Sequence, residues 1–209
     1  MKNNNSKKTL FEKLNSPFSL LVMGFLLTTL AGSYINNSYH EKSWRSKARF
    51  EIFKERLKEA SETQDSILSL SNRRIFLLRR VYFELLENRL QSARDIWKEY
   101  FKVTQEWNNN VKTNKNRLSL LFGNDVGASF LADNENQIDN PKSLHHVFRK
   151  AHYAVLEVIE CMKKVCNESE KQELLSHAEK RMNSLGLAHD KFSMQLRTSL
   201  RQKEIVLLE

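Results

Sequence analysis

Histidines are the first side chains of this sequence whose chemistry suggests a site. Five of them fall in the second half of the chain, at positions 145, 146, 152, 177 and 189. Glu173 and His177 are four residues apart and would share one face of a helix, as metal ligands can. Neither the Glu-x-x-His motif of ferritin-like bundles nor His-Glu-x-x-His occurs, however. We therefore expect these histidines at the surface or at helix caps, and we predict no metal site and no cofactor.

The two cysteines, Cys161 and Cys166, are the only thiols of the chain. Five residues apart on a helix, they would point to different faces, so we expect both to be reduced and unpaired. His152 shares the predicted helix with Cys161, but nine residues place the two on opposite sides of it and far apart along it. Thiol catalysis needs a base within hydrogen-bond reach. The sequence therefore predicts no catalytic residue and no enzyme activity.

Two arginine pairs, Arg73-Arg74 and Arg79-Arg80, bracket four apolar residues. Guanidinium groups bind carboxylates and phosphates well, so Arg73, Arg74, Arg79 and Arg80 are candidate contacts for an anion or a protein partner. The alternative is purely structural. In that interpretation the aliphatic parts of the side chains cover the helix surface, and Arg80 pairs with Glu84 one turn away.

An uncharged run of nineteen residues at 17–35 is the strongest single signal. Its length is close to the roughly 20 residues that an α-helix needs to cross a bilayer. Pro17 suits the first position of a helix, and Tyr34 suits the membrane interface. We predict a transmembrane helix at 17–35, preceded by a basic tail at 1–16. A cleaved signal peptide is the alternative, because lysines precede the run and small residues at 31–33 suit a peptidase.

Gly24, Thr28 and Gly32 recur at every fourth residue of the predicted span and are candidates for packing between spans. Four basic residues lie in the fifteen positions before the span and four in the fifteen after it, so the positive-inside count is a tie. A basic tail directly before a first span usually stays in the cytoplasm. We therefore favour a periplasmic over a cytoplasmic location for the domain that follows.

The rest of the chain has the pattern of long helices. No proline occurs between Pro17 and Pro141, and apolar residues recur at spacings of three and four. We predict an all-α protein with a long helical or coiled-coil region at 36–122, a polar loop at 123–142 and a helical hairpin at 143–209 that completes an antiparallel bundle. We expect the first helix to break near Ser69–Asn72. The two cleanest apolar seams are Leu90, Ala93, Trp97, Tyr100, Thr104, Trp107, Val111, Asn114, Leu118, Leu121 and Leu144, Phe148, Ala151, Val155, Val158, Met162, Val165.

The net charge of +9 includes +3 from the first sixteen residues, which leaves +6 for the remainder. This excess suits a helical surface near anionic lipid, and no nucleic-acid-binding motif accompanies it, so we expect no nucleic acid. The expected partners are the lipid bilayer and either another protein or a second copy of the chain. The sequence thus indicates a membrane-anchored helical scaffold. An effector that perturbs membranes by oligomerising through its span is the alternative.

The segment Gly24-Phe25-Leu26-Leu27-Thr28-Thr29-Leu30-Ala31-Gly32 resembles the Gly-Phe-x-Leu-Thr-Thr-x-x-Gly anchor of a group of uncharacterised bacterial single-pass membrane proteins. That group also has an Asp-x-Arg-x-x-Arg-x-Arg-Arg stretch, in which Asn72 here replaces the acid and Leu77 one arginine. Its Trp-Asn…Asn…Phe-Gly segment is matched by Trp107-Asn108, Asn114 and Phe122-Gly123. The resemblance implies a location in the bacterial inner membrane, and it brings no known activity.

Overall fold

The structure, a computed structural model, describes residues 17–132 and 143–208, and all regular structure in these two ranges is helical. The helices are α1 (Pro17–Leu86), α2 (Leu90–Phe122), α3 (Asn124–Phe130), α4 (Leu144–Lys163) and α5 (Glu168–Leu208). The predicted all-α fold is confirmed. The basic tail at 1–16 and the second half of the predicted polar loop, residues 133–142, lie outside the described residues.

Helix α1 runs without interruption from Pro17 to Leu86, so the predicted break near Ser69–Asn72 is wrong. The hydroxyl of Ser71 donates to the Leu68 carbonyl at 3.0 Å and lies 3.0 Å from Nε2 of His189 on α5. Serine weakens a helix when its hydroxyl competes for backbone groups in other conformations. Here the hydroxyl is satisfied inside the helix and across to α5, so the polar stretch remains helical.

The chain divides into two compact units, with the boundary between Phe53 and Lys54. In the first unit, the large apolar side chains of the predicted span face outward: Leu21, Phe25, Leu27 and Leu30 are between 65% and 71% exposed. Among the described helices, α1 alone is long and apolar enough to cross a membrane.

The second unit is an antiparallel helical bundle. Arg74 of α1 lies against Tyr100 and Trp107 of α2, and the same two aromatic residues contact His152 and His145 of α4 in the reverse order along the chain. Ser143 caps α4 by accepting a hydrogen bond from the His146 amide, and the Asn167 side chain accepts one from the Glu170 amide at the start of α5.

Most members of the two predicted seams are buried, and one exception is exposed. The partly buried members are Leu90, Trp97, Val111, Asn114 and Met162. Ile96 and Val103 widen the seam of α2, since both are buried beside its predicted members. His189 is also buried and fills the position between Leu185 and Phe192 on α5. The exception is Val165, which lies beyond the end of α4, has a φ of 56° and is 88% exposed. A β-branched residue in this left-handed conformation marks a forced turn.

That turn joins the two cysteines, so the prediction of free thiols is wrong. Cys161 and Cys166 form a disulfide, with their Cα atoms 5.3 Å apart. The expectation assumed a helix through both residues, but α4 ends at Lys163 and the chain folds back. The Cys166 amide then donates to the Cys161 carbonyl at 3.2 Å. This return brings together two side chains that a continuous helix would keep apart.

A second turn separates α2 from α3. Gly123 ends α2 with a φ of 104°, which glycine adopts without the clash that a Cβ would cause. Helix α3 begins at the next residue and buries Val126 and Phe130 in the core. The first part of the predicted polar loop is therefore a short helix that belongs to the bundle.

Candidate functional site

The structure separates the four candidate arginines. Arg74 faces the core with Leu78 and Val81 and is only 1% exposed, whereas Arg73, Arg79 and Arg80 are exposed. Arg80 does not pair with Glu84 among the described residues but lies over the Phe76 ring, with Cζ 5.7 Å from the ring centre. Glu84 instead binds Arg89 beyond the end of α1, at 2.7 and 3.1 Å. The four side chains thus form no single cluster.

Three aromatic rings from two other helices surround the Arg74 guanidinium. Its Cζ lies 4.4 Å from the ring centre of Phe148, 5.5 Å from that of Trp107 and 5.9 Å from that of Tyr100. Each distance falls within the range at which a cation is attracted by the face of an aromatic ring. We call Arg74, Tyr100, Trp107 and Phe148 the arginine cage.

The buried charge of Arg74 has no carboxylate partner among the described residues. Within the same residues, its Nε and Nη1 atoms are buried and make no hydrogen bond. Burial lowers the pKa of Arg74 below its ordinary value, and the interaction with Tyr100 opposes this shift. A buried cation without a counter-ion is costly, and the aromatic rings compensate only part of that cost.

Two histidines of α4 adjoin the cage. Trp107 Nε1 donates to Nδ1 of His145 at 3.0 Å, and Nδ1 of His152 lies 3.2 Å from the Tyr100 hydroxyl. Burial, followed by repulsion from Arg74, lowers the pKa of each histidine to about 4. Both imidazoles are therefore neutral near pH 7. Because Nδ1 of His145 accepts a hydrogen bond, its Nε2 carries the proton and is a donor.

A cavity of about 290 Å³ opens beside the cage. Its lining combines cationic, polar and apolar side chains, and none of those in the described chain is acidic: Arg74, Thr104, Asn108, Val111, His145, Arg149, His152 and Tyr153. The Thr104 hydroxyl is buried and has no hydrogen-bond partner in the described part of the chain. Two arginines, two histidines, a threonine and an asparagine thus contribute to the lining of the cavity.

The expectation of surface or cap histidines is wrong for His145, His152 and His189. His145 and His152 are half-buried at the cage, and His189 is buried against Ser71. For the arginine of the cage the sequence carried a usable signal, because Arg74 shares a helical face with Leu78 and Val81, which are core positions. The pairing of the cage with the two histidines depends on contacts between distant helices, which spacing alone does not reveal.

No three His, Cys, Asp or Glu side chains among residues 17–132 and 143–208 are grouped so that they would hold a metal ion.

The predicted packing residues of the span, Gly24, Thr28 and Gly32, lie in the first unit. Thr28 Oγ1 donates to the Gly24 carbonyl at 2.8 Å, and a Cβ at Gly24 or Gly32 would meet no neighbouring atom within 4 Å. This face of the span is therefore open.

Comparison with known proteins adds no relative: no family model, no curated protein and no solved structure matches this chain.

Proposed function

We propose that this chain is a single-pass protein of the bacterial inner membrane whose helical domain binds another protein or a second copy of itself. The observation that carries the proposal is the apolar stretch of α1, none of which is buried within the protein. Moving apolar surface out of water is favourable by about 25 cal/mol per Å². A helix that exposes leucine and phenylalanine on all sides is therefore suited to lipid rather than to water.

The disulfide supports a periplasmic location for the second unit. Disulfides form and persist in oxidising compartments and are rare in the cytosol, where thiols are kept reduced. The turn at Val165 holds Cys161 and Cys166 close enough for the bond. A basic tail in the cytoplasm, a span at 17–35 and an oxidised domain outside would make one consistent topology.

The exposed face of α1 in the second unit supports a protein-binding role. Arg73, Phe76, Arg80 and Phe83 recur at spacings of three, four and three, which places them on one side of the helix. Phe76 and Phe83 are 59% and 57% exposed. Arginine and aromatic residues are enriched where proteins bind one another. We call these four residues the arginine–phenylalanine stripe, and carboxylates of a partner are its natural counter-charges.

Membrane attachment is tested by extracting native membranes with carbonate. We expect the full-length chain to remain in the pellet, and recovery of a soluble protein that begins near Ser33 would instead show a cleaved signal peptide.

Partner binding is tested by crosslinking and affinity purification from the same membranes. Arg73→Glu/Arg80→Glu should abolish the crosslinked species, whereas Arg197→Glu/Arg201→Glu, at exposed positions of α5, should not. A chain that yields neither a partner nor a dimer would refute the interaction role.

A further inference from the structure

We propose that the cavity beside the arginine cage binds a small organic anion through its carboxylate or phosphate group. This inference depends neither on membrane attachment nor on the arginine–phenylalanine stripe. It depends on Arg74, which is buried on α1 and lines the cavity together with Arg149 of α4.

The charge balance of the cavity calls for an anion. Arg74 has two buried donor nitrogens without a hydrogen-bond partner in the described residues, and the cavity lining drawn from those residues contains no carboxylate. The rings of Phe148, Trp107 and Tyr100 surround the guanidinium and attract its charge, and of the three only Tyr100 also offers it a hydroxyl. An oxyanion at the guanidinium would supply both the missing charge and the missing acceptors.

The neutral groups around the cavity also suit an oxyanion. Trp107 fixes His145 in the form that carries its proton on Nε2, so this histidine lines the cavity as a donor near pH 7. Thr104 contributes a hydroxyl that is buried without a partner in the described chain. Asn108 adds an amide that can donate. A cation would meet two arginines here, so the site discriminates against positively charged ligands.

The size and the remaining lining favour an organic anion over a bare ion. About 290 Å³ is close to the lower end of small-molecule sites, which begin at about 300 Å³. Val111 and the ring of Tyr153 add apolar surface to the lining. A ligand with one oxyanion and a compact apolar or aromatic body matches this lining.

The proposal is tested by titrating the full chain in detergent with benzoate, acetate and inorganic phosphate, and with benzamide as the neutral isostere of benzoate. Calorimetry and thermal shift report binding. We expect at least one of the three anions to bind and to raise the melting temperature, and benzamide to do neither. Preference for phosphate over the two carboxylates would identify a phosphate ligand, and the reverse order a carboxylate ligand.

The variants assign the binding to the cavity. Arg74→Met should lower the affinity for the anion about tenfold or more, because it removes a charge-assisted hydrogen bond. Arg149→Met, at an exposed position of the rim, should weaken it less and provides a variant whose folding is not in question. Arg197→Met, at an exposed position of α5 outside both the cavity and the arginine–phenylalanine stripe, is the matched control and should bind the anion as the wild type does. Failure of all three anions to bind, or equal binding by wild type, Arg74→Met and Arg149→Met, would overturn the proposal.

Discussion

The guanidinium carbon of Arg74 lies 4.4 Å from the centre of the Phe148 ring, which joins α1 to α4 in the middle of the bundle. A buried arginine is ordinarily found with a carboxylate, and here aromatic faces stand in that place. Cation–π contacts compensate part of the hydration free energy that the charge loses on burial. An apolar side chain in the same place would lose no such free energy. The stability of the bundle therefore does not by itself explain an arginine at this position.

The first prediction separates the charge of Arg74 from its volume. Arg74→Met keeps an unbranched side chain inside the cage and removes the uncompensated charge, so we expect the free energy of unfolding to change by less than about 1 kcal/mol or to increase. Arg74→Ala should lower it by about 3 kcal/mol, because it leaves an empty space among three rings. Chemical unfolding followed by circular dichroism measures both. Equal losses in the two variants would show that the cation–π contacts themselves hold the bundle together.

The second prediction concerns pH. His145 and His152 have a pKa of about 4 in the folded chain, below the ordinary 6.5, so the unfolded chain binds more protons between these values. Stability is then full above pH 6.5 and falls as the pH decreases toward 4. The loss is about 1–2 kcal/mol per histidine at pH 4.5, once partial solvent exposure is allowed for.

The charged groups that face His145 are Arg74, Arg149 and His146, and Arg74 faces His152 as well, so nearby charge and burial act in the same direction. The Tyr100 hydroxyl is the remaining titratable neighbour of His152. His152→Gln removes one titrating group and should flatten the decrease in unfolding free energy between pH 7 and 4.5. Parallel pH profiles for wild type and variant would contradict the assignment.

The sequence predicted the helical elements well because their seams repeat every three or four residues, and this period depends only on local geometry. The sequence-based prediction failed at positions where a contact with a distant helix determines the structure or the burial of a residue. The Ser71 hydroxyl, which donates within the helix to the Leu68 carbonyl, is also met by His189, which lies 118 residues away. The histidines at the cage were expected on the surface because a single helix does not show which of its polar residues another helix will cover. The arginine cage draws on three helices, so no spacing within one of them predicts it.

The third prediction is that the two cysteines are oxidised. Alkylation of the denatured chain with a maleimide should add no mass before reduction and two adducts after it, since Cys161 and Cys166 are the only thiols. The loop closed by the bond is short, so the chain-entropy account gives a stabilisation of about 2 kcal/mol. Cys161→Ser/Cys166→Ser should therefore lower the melting temperature without unfolding the bundle. Two adducts without reduction, in protein isolated under conditions that trap thiols, would contradict both the bond and the periplasmic topology that it supports.

The fourth prediction contrasts two glycines that lie in helices. A Cβ at Gly127 would come within 1.9 Å of the Ser119 hydroxyl, 3.1 Å of the Ser119 Cβ and 3.2 Å of the Lys115 carbonyl, so the hydroxyl would have to turn away and the other two atoms would have to shift by a few tenths of an ångström. A Cβ at Gly186 would meet only the tip of the exposed Arg79 side chain, at 3.1 Å. We expect Gly127→Ala to destabilise the protein by about 1 kcal/mol or more, because its close neighbour is backbone as well as side chain. Gly186→Ala should stabilise by about 0.5–1 kcal/mol, because alanine favours the helix and the arginine tip can turn aside. Thermal unfolding of the two variants side by side measures the difference, and a stabilised Gly127→Ala would show that α3 does not pack on α2 this closely.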